Sequence, residues 1–217
     1  MTDITIWGAN TPRTLRPIWM AEELGLEYKL HPIGSRTGET QTSEFATLNP
    51  KNKIPVFQAG DVLLTESLAI CRYLRQAFPS PALPAPQGDA ALAKEDEWCC
   101  YIFGELDETS LYVMRRHYDL NEIYGDAPLA IETCRDHLEQ QFKILNVHLS
   151  DTETVLASGF GLADIMLISC LDWAAFYNCR MPRSVEQYRE RIAKRPAYKK
   201  AMDVNYKAMM EILNGAA

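Results

Sequence analysis

The stretch NPKNKIPVF, residues 49–57, places a proline where a buried strand is expected to begin. Ile54, Val56 and Phe57 have the apolar side chains of a buried strand, yet Pro55 has no N–H group for a ladder hydrogen bond. An edge strand would tolerate this proline, and so would a tight turn with a cis peptide. A third interpretation is that the backbone before Pro55 binds something other than its own sheet.

Residues 1–78 alternate between strand and helix patterns. DITIW predicts a first strand, Pro12–Leu24 a helix that ends at Gly25, and EYKLHPI a second strand. SEFATLN predicts one or two helical turns, and PVFQAGDVLLTE predicts two strands joined by a turn. A helical pattern over 67–78 closes the series, so the predicted order is β-α-β-α-β-β-α.

The stretch PSPALPAPQGD, residues 79–89, contains four prolines and one glycine, so it can continue neither a helix nor a strand. We interpret it as a linker between two domains. Beyond it, the apolar spacing predicts helices at about 90–118, 127–149, 161–177, 184–194 and 196–213. The sequence therefore predicts an α/β N-terminal domain over 1–78 and an all-α C-terminal domain over 90–217.

Composition and charge exclude several classes of function. The chain carries 22 basic and 29 acidic side chains, a net charge of −7, whereas a nucleic-acid-binding protein normally has a basic surface. No apolar run approaches the ~20 residues that span a bilayer, and MTDITIWGAN has no leader pattern, so we expect a cytoplasmic protein. The six cysteines form no C-x-x-C pair, and neither they nor the four histidines show metal-ligand spacing. We therefore expect no metal, and we expect the cysteines to be buried apolar residues.

Taken together, these features resemble the cytosolic glutathione transferases. The resemblance rests on the α/β half, the proline-rich linker and the helical half, with the motifs NPKNKIPVF and TESLAICRYL, residues 65–74. TPRTLRPIWMAEELGL, residues 11–26, is most similar to Nu-type bacterial and theta-like members. The resemblance implies a thioredoxin-like first domain, glutathione as co-substrate, a homodimer, and a small electrophile or a disulfide as second substrate.

The resemblance also suggests why Pro55 stands at the start of a strand. In this family the corresponding proline follows a cis peptide, so Ile54 is expected to pair its backbone with the cysteinyl part of glutathione, as an added strand would. Gln41 and Lys53 match positions that contact the glycyl carboxylate, and lysine suits a carboxylate as a compact positive charge. The alternative is a trans proline at a sheet edge.

TES, residues 65–67, stands where a strand is predicted to pass into a helix. Free N–H groups and the positive end of the helix dipole favour a carboxylate there. The resemblance assigns the γ-glutamyl carboxylate of glutathione to Ser67 and its ammonium group to Glu66. These residue types are also suited to capping the helix without binding any ligand.

The chemistry of a glutathione transferase requires a thiolate, and NTPRT, residues 10–14, follows the first predicted strand. A thiol has a reference pKa of about 8.5, and lowering it by two units takes about 2.7 kcal/mol of preferential thiolate stabilisation. By resemblance Thr11 is the hydroxyl donor, with Asn10 and Thr14 as weaker candidates. Arg13 stands where Nu-type members carry asparagine, so its guanidinium either stabilises the thiolate or points to solvent.

In the helical half, Glu105, Thr109, Tyr112 and Arg116 fall at helical spacing on one predicted face. Three interpretations stay open: a second-substrate pocket with Tyr112 and Arg116, a dimer contact, or a solvated face. GFGLADIMLISCLDWAAF, residues 159–176, is apolar almost all round and predicts a buried helix, with Asp164 placed to cap it.

We therefore predict an enzyme, a glutathione transferase that activates the thiol for attack on a small electrophile. One alternative is a Nu-type glutathione-dependent disulfide-bond reductase or peroxidase. Another is a transferase-like protein that binds partners without catalysis, although such a protein would be expected to lose the Thr11, NKIP or TES residues. A maleylacetoacetate-type isomerase would carry an SSC-like stretch in place of Thr11-Pro12-Arg13, so that reaction is disfavoured.

Overall fold

The computed structural model describes residues 3–215, with side chains described through residue 207. These residues form two compact units. One contains the chain through Ala85 together with the segment from Lys194 onward, and the other contains Pro86–Ala193. Within the described residues, no helix combines the length and the apolar character needed to cross a membrane.

The first unit is built on a mixed, four-stranded sheet. Its strands are β1 (Ile4–Trp7), β2 (Lys29–His31), β3 (Val56–Ala59) and β4 (Val62–Thr65), in the spatial order β2-β1-β3-β4. β1 pairs in parallel with β2, whereas β3 pairs antiparallel with both β1 and β4. A parallel pair needs a crossover connection, and helix α1 (Pro12–Leu24) supplies it.

Helices α1, α2 (Ser43–Leu48) and α3 (Ser67–Ala77) complete the predicted β-α-β-α-β-β-α order. α1 ends at Gly25, whose φ of 68° is a left-handed conformation that glycine adopts at little cost. α1 and α3 pack against each other, and Ile18 and Leu74 on these helices are completely buried. The predicted thioredoxin-like fold of the first half is confirmed.

The last helix, α10 (Pro196–Gly215), packs against α1 within the same unit. Just before it, Arg195 forms two ion-pair contacts with Glu23 of α1, each 2.7 Å long. Tyr198 also packs edge-on against Trp19. These contacts group α10 with the α/β half, although its sequence pattern continues the helical half. The division into domains 1–78 and 90–217 with a linker at 79–89 stays a prediction.

The second unit is helical. It contains α4 (Asp89–Tyr101), α5 (Tyr112–His117), α6 (Asn121–Tyr124), α7 (Pro128–Leu149), α8 (Leu162–Phe176) and α9 (Arg183–Ile192). The helix predicted at about 90–118 is not one α-helix, because Ile102–Leu111 forms a π-helical segment between α4 and α5. In this segment hydrogen bonds join residues five apart instead of four. The short helix α6 was not indicated by the sequence pattern.

Helix α8 is the buried centre of the second unit, as predicted, and its residues 162–171 are all buried. Asp164 accepts hydrogen bonds from Gly161 N at 2.8 Å, Val155 N at 2.9 Å and the Tyr188 hydroxyl at 2.7 Å. Burial and the Asp164 charge raise the pKa of Tyr188 well above its ordinary value. Asp164 therefore caps and anchors α8, which is the structural role expected of it.

All six cysteines are free thiols. Four of them are buried as expected, namely Cys71, Cys99, Cys134 and Cys170. The prediction is wrong for Cys100, which is exposed, and Cys179 is half-buried. Neighbouring positions on an α-helix lie about 100° apart, so on a helix with one exposed face Cys99 can face the core while Cys100 faces solvent.

Candidate functional site

One end of the sheet gathers the three segments that carry the predicted site residues. The strand register aligns Trp7 of β1 with Val56 of β3, and Val56 with Thr65 of β4. At this end the chain leaves β1 and β4 and enters β3. Because neighbouring strands lie about 4.8 Å apart, the segments that adjoin these residues lie side by side. They are the start of α1, the loop before β3 and the start of α3.

Gly8 allows two of these segments to approach closely. Its φ is 120°, and a Cβ atom at this position would lie 2.7 Å from both Ile54 Cβ and Thr14 Cγ2. Any other residue would therefore push the loop before β3 away from α1. The Ile54–Pro55 peptide in that loop is cis, which confirms the prediction.

The buried side chain of Asn49 shapes the turn that precedes Pro55. Its Nδ2 donates to Lys53 O at 2.7 Å, and its Oδ1 accepts from Lys51 N at 3.1 Å. Asn49 is only 1% exposed, so its amide satisfies backbone groups that the turn would otherwise leave unpaired. The turn thereby leads Lys51 and Lys53 to the surface beside Ile54, where both lysines are exposed.

Thr11 is the N-cap residue of α1. Its hydroxyl oxygen accepts a hydrogen bond from Thr14 N at 3.0 Å. This bond uses a lone pair and not the hydroxyl hydrogen, so Thr11 can still act as a donor. Thr11 is only 6% exposed, and a donor shielded from water acts more strongly than one in bulk solvent.

The start of α1 is electrostatically suited to an anion. Its first turn contains no acidic residue, so nothing within that turn neutralises the positive end of the helix dipole. Arg13, half-buried in the same turn, adds a cation. Asn10 has a left-handed φ of 61°, and its N–H group donates to Asn205 O at 2.9 Å, so its backbone helps to hold the loop.

Helix α3 begins at Ser67, and among the described residues no side chain caps it. The N-cap residue Glu66 has φ 73° and ψ 114°, a conformation that costs of order 1–3 kcal/mol for a residue other than glycine. Ser67 is 5% exposed, and its hydroxyl oxygen accepts a hydrogen bond from the Arg16 guanidinium at 3.2 Å. Arg16 is completely buried. Helix N–H groups beside a buried cation form a site for a carboxylate.

The chain is similar to known proteins in sequence and in fold. Residues 2–76 match the family described as Glutathione S-transferase, N-terminal domain. Glutathione S-transferase 3 of Zea mays is 29% identical, over 93% of this chain and 94% of that relative. Residues 2–76 therefore form a glutathione S-transferase N-terminal domain.

Solved structures of glutathione S-transferases share its fold. The theta-class enzyme from Xanthomonas axonopodis pv. citri, with glutathione bound, is 26% identical with a TM-score of 0.78, covering 93% of this chain and 97% of that one. The glutathione transferase URE2P6 from Phanerochaete chrysosporium, in complex with oxidized glutathione, is 20% identical with a TM-score of 0.84, covering 95% and 97%. The second likeness shows the fold alone. Membership of the Nu-type subgroup stays a prediction.

Within the glutathione S-transferase fold, Glu66 already has a partner. Lys51 Nζ lies 2.5 Å from its carboxylate, and the two side chains are 47% and 62% exposed. An exposed ion pair contributes only about 0–1 kcal/mol, so a ligand ammonium group would compete with a weak interaction. Lys51 was not among the predicted site residues.

Gln41 and Lys53 are both exposed. Gln41 ends a short 3₁₀ turn (Glu39–Gln41), and its side-chain amide donates to the Thr40 hydroxyl at 3.2 Å. Lys53 lies directly before Ile54. The expected contacts of Gln41 and Lys53 with a glycyl carboxylate stay predictions.

Tyr112 and Arg116 lie in the other compact unit, on α5. The Arg116 guanidinium carbon is 4.8 Å from the centroid of the Tyr112 ring and 5.4 Å from that of Tyr124. At these distances a cation is attracted to an aromatic ring. Their assignment to a second-substrate pocket stays a prediction.

Glu105 and Thr109 do not continue the α-helical face of Tyr112, because both lie in the π-helical segment. Glu105 pairs with His137 at 2.9 Å, and the Thr109 hydroxyl donates to Gly104 O at 2.6 Å, five residues earlier. The spacing that predicted a single stripe assumes α-helical turns. It fails where hydrogen bonds join residues five apart.

Arg16 and Asn205 were not among the predicted site residues. Arg16 is 51 positions from Ser67, and Asn205 is 194 positions from Thr11, so no local pattern connects either pair. One signal was available for Arg16, because it interrupts an apolar helix at a buried position. A fully buried arginine is almost always paired.

Proposed function

We propose that this protein is a glutathione transferase that binds glutathione across one end of its sheet and activates the thiol at Thr11. The observation that carries the proposal is the convergence of the starts of α1 and α3 with the loop before β3. A relative named as a glutathione S-transferase matches 93% of the chain, which supports an enzyme of this class.

The γ-glutamyl end of glutathione would bind at the start of α3. The helix N–H groups and the Ser67 hydroxyl would donate to its carboxylate, and Arg16 would supply a buried positive charge behind Ser67. Glu66 would accept hydrogen bonds from the ligand's ammonium group, in exchange for its exposed pair with Lys51.

The cysteinyl part would pair with the backbone of Ile54, in the manner of an added strand. Its sulfur would then lie toward α1, because Gly8 lets Ile54 approach Thr14. A hydrogen bond to a charged group is worth about 1.5–3 kcal/mol, so one Thr11 donor can supply most of the ~2.7 kcal/mol that two pKa units require. The helix dipole and Arg13 would add to it.

The glycyl carboxylate would lie toward Lys53 and Gln41. Both side chains are exposed, so each contact would add little affinity compared with the shielded contacts at Ser67. Their contribution would be to orient the tripeptide along the loop.

The thiolate would attack an electrophilic carbon of a small substrate, forming a carbon–sulfur bond while the bond to a leaving group breaks and that group departs with the bonding electron pair. A second reaction is attack of the thiolate on a glutathione-containing disulfide, which forms one new disulfide and releases one thiolate. The Nu-like Thr11-Pro12 pair favours this reaction, and nothing in this geometry disfavours it. The assignment of Tyr112 and Arg116 to second-substrate binding is part of this proposal. The proposal includes a homodimer in the cytoplasm.

Retention on immobilised glutathione, followed by assays with electrophiles, peroxides and mixed disulfides, tests the proposal. We expect retention, elution by free glutathione and turnover of at least one substrate class. Turnover of mixed disulfides alone would select the reductase. Retention without turnover of any class would favour a partner-binding protein. A protein that is not retained and turns over none of these substrates would overturn glutathione binding itself.

A further inference from the structure

Asn205, on helix α10, is built into the start of α1. It is completely buried, its Nδ2 donates to Thr11 O at 3.1 Å, and its Oδ1 accepts from the Thr14 hydroxyl at 2.7 Å. Its backbone oxygen accepts a hydrogen bond from Asn10 N at 2.9 Å. One residue from the far end of the chain therefore holds both the backbone and a side chain around the Thr11 cap.

The Asn205 amide determines which acceptor the Thr14 hydroxyl uses. Thr11 O already accepts from Leu15 N at 3.1 Å and from Asn205 Nδ2 at 3.1 Å, so both of its lone pairs are used. The single hydroxyl hydrogen of Thr14 therefore goes to Asn205 Oδ1, which at 2.7 Å is also nearer than Thr11 O at 2.9 Å. Thr14 then has no hydrogen left to donate to Thr11 Oγ1, 3.0 Å away.

Of the two hydroxyl hydrogens of Thr11 and Thr14, the Thr11 hydrogen is therefore the one that can turn to a different acceptor. Within this network its acceptor is Thr14 Oγ1, a neutral oxygen that already accepts from Thr11 N at 3.1 Å. A thiolate is a charged acceptor, and hydrogen bonds to charged groups are roughly twice as strong as neutral ones. A bound thiolate would therefore draw this hydrogen away from Thr14.

We propose that Asn205 is a positioning residue for thiol activation. Its amide fixes the Thr11 carbonyl and the Thr14 hydroxyl, so that the Thr11 hydroxyl stays in place as the donor to the glutathione sulfur. This inference rests on the proposed function, and it adds a residue from α10 to the control of the thiol.

Asn205→Leu tests the inference, because it removes the amide at similar volume and leaves the backbone bond to Asn10. The absorbance of the bound thiolate is followed against pH. We expect its pKa to rise by about half to one unit and kcat/KM near neutral pH to fall about tenfold, the loss expected from one net hydrogen bond. In a Thr11→Val background, Asn205→Leu should cause no further shift, because the amide acts through the hydroxyl.

Arg195→Met is the matched control on the same helical connection. It breaks the ion pair with Glu23, near the opposite end of α1 from Thr11. We expect a lower melting temperature and an unchanged thiol pKa. If Asn205→Leu does not fold, Thr14→Val breaks the same link and should raise the thiol pKa in the same direction.

The outcomes separate the two proposals. If Thr11→Val raises the thiol pKa while Asn205→Leu or, failing that, Thr14→Val leaves it unchanged, positioning is overturned and the proposed function stands. If Arg195→Met shifts the titration as much as Asn205→Leu, looser packing of α10 explains both, and positioning is again overturned. If the thiol bound to the unmodified protein titrates like free glutathione, thiol activation fails and positioning fails with it.

Discussion

Helices α8 and α3 each have a buried polar residue in their first turn, yet their N-termini differ in the charge that the chain provides there. At α8 the Asp164 carboxylate accepts hydrogen bonds from two backbone N–H groups and from Tyr188, all within 2.9 Å. At α3, no side chain of the described residues caps the helix, and Arg16 brings a guanidinium to Ser67. The chain itself supplies the anion that α8 favours, whereas the start of α3 is suited to the carboxylate of a ligand.

Helix α1 is intermediate between these two. Its cap, Thr11, is a neutral hydroxyl that accepts from the helix and can still donate to an anion. The three helix starts therefore differ in the group that the chain itself places against the helix N–H groups. A built-in carboxylate marks a start that stabilises the structure, and a start that keeps free donors is suited to a ligand.

The largest expected effect concerns α8. Asp164→Ala should lower the free energy of unfolding by about 4 kcal/mol, because buried donors would lose their acceptor at about 1–3 kcal/mol each. Denaturant unfolding measures this loss. The exposed Asp151→Ala is the control and should stay within about 0.5 kcal/mol of the unmodified protein. A loss below about 1 kcal/mol at Asp164 would show that α8 does not depend on its built-in anion.

The next effect concerns α3. Ser67→Ala should weaken glutathione binding by about 1–2 kcal/mol, because it removes a hydrogen bond to a carboxylate. Calorimetric titration measures the affinity. Ser43→Ala is the matched control, since Ser43 is the exposed first residue of α2. If Ser67→Ala and the unmodified protein bind glutathione with equal affinity, the γ-glutamyl end does not bind at the start of α3.

The smallest effect is a difference in alkaline stability. Burial and the charge of Asp164 raise the pKa of Tyr188, so above pH ~10 the unfolded state loses this proton while the folded state keeps it. Neutral Tyr188 makes its full contribution to the free energy of unfolding below pH ~10. This contribution should decline by about 1.4 kcal/mol by pH 11. Tyr188→Phe should lack this part of the decline, and the exposed Tyr118→Phe should keep it. Parallel pH curves for all three proteins would contradict the assignment.

Local features made much of the fold predictable. Pro12 and Gly25 mark the ends of α1 through their own backbone preferences, and the alternation of apolar residues marks the strands. The π-helical segment was not predictable in this way, because apolar spacing does not reveal hydrogen bonds between residues five apart.

The candidate site likewise has some features that local sequence predicts and others that it does not. Ile54–Pro55 and the start of α3 follow short motifs, and the structure confirms the cis peptide and the helix start at Ser67. The contacts of Arg16 with Ser67 and of Asn205 with Thr11 are made by folding across long stretches of chain. No local pattern encodes such contacts.

Thiol activation is tested most directly by titrating the thiolate of bound glutathione in the unmodified protein, in Thr11→Val and in Arg13→Ala. Thr11→Val keeps the shape of the side chain and deletes the donor. We expect the bound thiol to titrate about two units below its reference pKa of ~8.5 in the unmodified protein, and clearly higher in Thr11→Val. The rate near neutral pH should fall by about 10²-fold in that variant, more than binding does. If Thr11→Val leaves the titration unmoved while Arg13→Ala raises the pKa, the guanidinium and not the hydroxyl activates the thiol.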